Sequence, residues 1–100
     1  MMKSLSFLIV KNVVCSKKEN IREIKRELTK SALIEIFSKE LNLHFCVDDI
    51  LIYKDNLGKP CVSFADNGDG SLLKAEVSNV EISYSDEKNL IAIFLIICKK

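Results

Sequence analysis

From Lys17 to Leu41 the chain runs without a glycine or a proline, and this stretch limits its possible folds more than any other feature. Ile21, Ile24, Leu28, Ala32 and Ile36 recur at steps of three and four residues, so a helix would carry them on one face. Leu33, Phe37 and Leu41 widen that stripe. Arg22, Arg26 and Lys30, spaced by four, fall on another face. Ser16-Lys-Lys-Glu19 fits a capping box, in which the serine hydroxyl accepts an early helical N–H and the glutamate reaches back to the cap. Asn20 is an alternative start. The pattern predicts one long helix from Lys17 or Ile21 to Leu41, with a wide apolar face that must be covered.

The rest of the chain supplies the cover. Ser4–Val14 is rich in β-branched and apolar residues and reads as a mostly buried strand. Asn42–Val47 reads as a linker and Ile50–Tyr53 as a strand. Asp55-Asn-Leu-Gly58-Lys59 is dense in turn chemistry, and Pro60–Phe64 would return as the second arm of a hairpin. Pro60 fits best at the start of that arm, where a missing N–H does least harm. A second turn, Ala65–Gly70, precedes a short helix at Ser71–Val77. Val80, Ile82 and Tyr84 then alternate strictly with Glu81, Ser83 and Ser85, as in a half-buried strand. Asp86–Asn89 reads as a turn, and Leu90–Cys98 as an apolar strand central in its sheet. The expected architecture is α+β, one long helix packed on a mainly antiparallel sheet, in a single domain of 100 residues.

With 48% hydrophobic and 29% charged residues, the composition is that of a globular chain and not a disordered one. The net charge of +1 is too small for a dedicated nucleic-acid binder, but it is unevenly spread. Residues 1–47 hold nine lysines or arginines against five glutamates, and residues 48–100 hold six lysines against nine acids. The first half therefore suits a phosphate-bearing ligand or an acidic protein. Its basic residues equally suit a solvated helix face laced with Glu19, Glu23 and Glu27. The longest apolar run, Leu90–Cys98, falls far short of the ~20 residues of a membrane-spanning helix.

Cys15, Cys46, Cys61 and Cys98 form no C-x-x-C pair, and Met1–Val14 carries no small-residue cleavage site. Reduced thiols in a cytoplasmic protein are the simplest account. His44 and Cys46 supply two ligands at most, too few for a zinc site. His44, the sole histidine, lies in a linker with no nucleophile motif around it. Ala65–Glu76 matches a calcium loop at several positions but begins with alanine where aspartate is needed, so a turn leading into a helix is expected.

Three segments, taken in order, resemble holo-acyl-carrier-protein synthases, the small 4'-phosphopantetheinyl transferases. Arg26-Glu-Leu-Thr-Lys30-Ser31-Ala32 is similar to that family's helical R-F-x-x-K-E-A motif. Asp48–Val62, with Gly58-Lys59-Pro60, looks like its strand, turn and G-K-P loop. Ser83-Tyr84-Ser85, followed by Leu90-Ile-Ala92-Ile-Phe94, resembles its S-H-[ST] strand and final A-x-A strand. The resemblance covers roughly residues 20–98. It implies a trimer with ligand sites between subunits, which moves the phosphopantetheine arm of coenzyme A to a serine of an acyl carrier protein. It further implies Mg²⁺ on the pyrophosphate, held by an Asp of the first strand and the Glu of K-E-A, with a Lys one helical turn later.

This chain departs from the pattern at the positions that carry the chemistry. No acid precedes Glu19, Ser31 stands in place of the metal-binding Glu, Glu35 in place of the assisting Lys, and Tyr84 in place of the histidine. Mg²⁺ requires hard oxygen ligands, usually with a carboxylate among them. A degenerate catalytic site is therefore expected. Lys30, Lys59 and Ser83 are the expected coenzyme A contacts, and Arg22, Lys25 and Arg26 the expected carrier-protein contacts. The alternative is a non-catalytic assembly protein that has kept only the fold.

Overall fold

The computed structural model describes residues 4–12, 18–66, 68–87 and 90–100, the side chains of residues 18–20 excepted. Ser16 of the expected capping box, Cys15 and Asn67 lie outside that set. The elements follow in the order β1 (Ser4–Asn12), α1 (Lys18–Leu41), a short 3-10 turn (Val47–Asp49), β2 (Ile50–Lys54), β3 (Pro60–Phe64), α2 (Asp69–Glu76), β4 (Val77–Glu87) and β5 (Leu90–Lys99).

The α+β class holds, with two refinements to its description. There are two helices and not one, α2 standing close to where Ser71–Val77 was expected. The strands divide into two antiparallel sheets, a three-stranded one in the order β1-β5-β4 and the β2-β3 hairpin. β5 is the central strand, as its continuous apolar character requires. Asp86 and Glu87 correct the expected four-residue turn. Both lie in β4, opposite Ile91 and Leu90. Pairing with β5 takes up their backbone groups, and the Asp86 carboxylate turns back to Lys25 of α1.

Alternation explains the larger sheet. Ile91, Ile93, Leu95 and Ile97 of β5 face α1 and are at most 3% exposed. Ile82 of β4 and the half-buried Leu5, Phe7 and Ile9 of β1 share that face. Leu33, Ile36 and Phe37 of α1 fill the space against them, with Ile21, Ile24, Leu28 and Ala32 at the margin. The rings of Phe37, Phe45 and Phe64 meet at centroid distances of 5.5–5.7 Å and tie the hairpin to the helix.

α1 ends at Asn42, which adopts a left-handed φ of 55°, a conformation asparagine tolerates better than most side chains. The Leu43 N–H then donates to the Phe37 carbonyl at 3.0 Å and satisfies one of the last-turn acceptors. α2 is held by its first residue: Asp69 Oδ2 accepts the His44 N–H at 2.6 Å. No helix among the described residues is long and apolar enough to cross a membrane.

Candidate functional site

Arg22, Lys25 and Arg26 lie at i, i+3 and i+4, so the first turns of α1 present them on one face. That face looks onto the end of the β2-β3 hairpin and the middle of β4. A cleft of about 110 Å³ opens between these three cations, Tyr53 and Lys54 of β2, and Tyr84 of β4. It continues into a larger groove of about 520 Å³ that gains Lys59, Gly58 and Pro60 from the hairpin turn. Lys25, Lys54, Pro60 and Tyr84 line both spaces. Five cations, Arg22, Lys25, Arg26, Lys54 and Lys59, thus converge on one depression.

Local chemistry fixes each wall. Asp55 builds the hairpin turn: its Oδ1 accepts the N–H groups of Leu57 and Lys59, both at 2.9 Å, and its carbonyl accepts the Gly58 N–H at 3.0 Å. Gly58 sits at φ 80°, where a side chain would be strained. The turn therefore presents Lys59 in one backbone position, and Pro60 opens β3 opposite Lys54.

The floor is a hydrogen-bonded pair. Thr29, fully buried, donates its hydroxyl to the Lys25 carbonyl at 2.6 Å. A carbonyl only accepts, so the single Thr29 proton is committed there. Tyr84 Oη, 3.0 Å from Thr29 Oγ1, must then be the donor of that bond. Burial pushes the Tyr84 hydroxyl above its ordinary pKa, against the pull of the Thr29 bond and the Arg26 charge. Tyr84 consequently keeps its proton at neutral pH and has none to give to a ligand. It offers a ring and an acceptor lone pair, not the proton-transfer chemistry of the histidine expected there by resemblance.

Three ion pairs occur among the described residues: Lys25–Asp86 at 3.1 Å, Lys39–Glu35 at 2.7 Å, and Lys74–Asp66. The Lys25 ammonium also lies 5.6 Å from the centroid of the Tyr84 ring. Arg22, Arg26, Lys54 and Lys59 make no ion pair among the described residues.

Of the residues singled out by sequence, Arg22, Lys25, Arg26, Lys59, Ser83 and Tyr84 come together on the two cavities. Lys30 does not. The helix wall ends at the Thr29–Tyr84 contact, and Lys30 lies beyond it, half-buried. Ser83 reaches the groove from the far side of the edge strand β4, next to Phe94 on the sheet's outer face. Sequence reasoning missed Lys54, Tyr53 and Asp86. The first two are placed by hairpin packing, and their only signal is proximity to the Gly58-Lys59-Pro60 turn.

The donor set does not fit Mg²⁺. β1 has no acid, and Ser31 is exposed. Glu35 is also exposed, and its carboxyl is held below the usual range by the hydrogen bond and charge of Lys39. No group of three or more His, Cys, Asp or Glu side chains converges among the described residues. The lining of the two cavities holds five cations and one acid, Glu81.

No family model matches the chain, and neither a curated protein nor a solved structure matches it.

Proposed function

We propose that this groove binds a phosphate-bearing ligand, with coenzyme A as the candidate that the resemblance suggests, and that the protein is a divergent, catalytically degenerate relative of the 4'-phosphopantetheinyl transferases. The observation that carries this reading is the convergence of five cations from α1, β2 and the hairpin turn on one depression floored by Tyr84. Phosphates are held by such clusters through charge and through the fork geometry of arginine. Degeneracy follows from Ser31, from the engagement of Glu35 with Lys39, and from the committed proton of Tyr84. Arg22 and Arg26 also present a basic surface to an acidic carrier protein, whose approach such charges would steer. The setting is cytoplasmic in this reading.

Self-association belongs to the same proposal. Leu8, Val10, Leu90 and Phe94 crowd the outer face of the large sheet and are 39–64% exposed. The larger groove wraps the β4 edge to reach Phe94 and Ile96 on that face. A second copy packed there would stand at the mouth of the groove, as the family's subunit-interface site requires. The non-catalytic assembly reading draws on this same apolar face, and binding decides between the two.

The test is calorimetric titration with coenzyme A at low ionic strength, paired with intact-mass analysis of an apo carrier protein incubated with the chain, coenzyme A and Mg²⁺. Saturable binding without a phosphopantetheine mass increment is expected. A mass increment would overturn the degenerate site, and absence of binding would leave the assembly reading.

A further inference from the structure

Lys25 differs from the other cations of the groove in how it is paired. Like Lys54 it lines both cavities, so an anion in either space meets its side chain. Only 18% of its side chain is exposed. It is also the one groove cation paired to an acid among the described residues, through Asp86 at 3.1 Å.

The position of Asp86 follows from strand alternation. Ile82, Tyr84 and Asp86 point to the same side of β4, and they pass from core to groove floor to rim. Asp86 is thereby fixed on a strand held by β5, with its carboxylate reaching back to α1. It satisfies the ammonium with the same chemistry that a phosphate oxygen would use.

We propose that Asp86 is an internal competitor: its carboxylate occupies Lys25 in the free protein, and a bound anion must share or displace it. The proposal rests on the reading of the groove as an anion site. Asp86 thus sets affinity without touching the ligand. It also ties ligand entry to the ion pair that, among the described residues, links α1 to β4.

The experiment is calorimetric titration with inorganic phosphate and with coenzyme A at low ionic strength, using wild type, Asp86→Asn, Lys25→Met and the double variant. Glu81→Gln serves as a second variant, since Glu81 lines the groove without contacting Lys25. Thermal melts establish that each is folded. Asp86→Asn is expected to tighten binding about tenfold, the scale of one charge removed at this range. The gain should fall below about twofold in the Lys25→Met background, where there is no ammonium to release. Glu81→Gln should tighten binding by less than Asp86→Asn. Wild-type binding with no gain in Asp86→Asn overturns the competitor role alone. An equal gain with and without Lys25 also overturns it, because Asp86 would then act as a diffuse charge. Absence of binding by every folded form overturns the anion site itself.

Discussion

Tyr84 shows how one residue decides what the site can do. Its hydroxyl is spent on Thr29, and burial holds its proton more tightly in the folded chain than in the unfolded one. A group whose folded pKa is raised contributes stability that is whole below its unfolded value, about 10, and is lost as pH rises through the folded value. Melting temperature should therefore fall as pH rises above about 10, and Tyr84→Phe should flatten part of that fall. At neutral pH the same variant loses one hydrogen bond, at a cost of about 1 kcal/mol. An unchanged alkaline profile would contradict the assignment. Gly70 offers a steric test. A Cβ there would lie 1.7 Å from the backbone oxygen of Ala65, and a backbone atom cannot swing aside as a side chain can. Gly70→Ala should cost roughly 2–3 kcal/mol in denaturant unfolding, whereas substitutions at exposed Ser71 should be near neutral.

Among the elements, the hairpin turn is where structure and site are most closely coupled. Asp55→Ala removes the one carboxylate oxygen that accepts two N–H groups of the backbone presenting Lys59. A loss of about 1–2 kcal/mol is expected, with weaker coenzyme A binding although Asp55 carries no positive charge. Binding equal to wild type would mean that the turn does not position Lys59. The same hairpin shows what sequence can specify. Pro60–Phe64 was legible to the residue, because a turn rich in Asp, Asn and Gly precedes a proline that must start its strand. The span of α1 was legible from its apolar period. The limits of β4 were not. Val77-Ser-Asn breaks the alternation, and the register shifts between Val77 and Asn79, while Asp86 and Glu87 read as turn residues. Pairing with β5 decides both ends, and pairing is a property of two segments. The placement of Arg22, Lys25 and Arg26 on one face was legible from helix spacing, whereas tertiary contact brings Lys54 and Asp86 beside them and leaves Lys30 off the two cavities.

For the whole molecule, the uneven faces of the three-stranded sheet point to assembly. One face is sealed by α1. The other carries Leu8, Val10, Leu90 and Phe94 beside the polar Glu81, Ser83, Ser85 and Glu87 of β4. Sedimentation equilibrium is expected to give an oligomer, a trimer by resemblance, that Leu8→Glu with Phe94→Glu dissociates without unfolding the chain. A wild-type monomer at all accessible concentrations would contradict the self-association proposed here.

The central claim is that cations from α1, β2 and the hairpin turn form one anion-binding groove. It is tested most directly by titrating coenzyme A into wild type and into Arg22→Ala/Arg26→Ala/Lys59→Ala at two ionic strengths. The prediction is saturable wild-type binding that weakens with salt and falls at least about tenfold in the triple variant. Equal affinity in the two proteins, or no binding by either at saturating ligand, would contradict it.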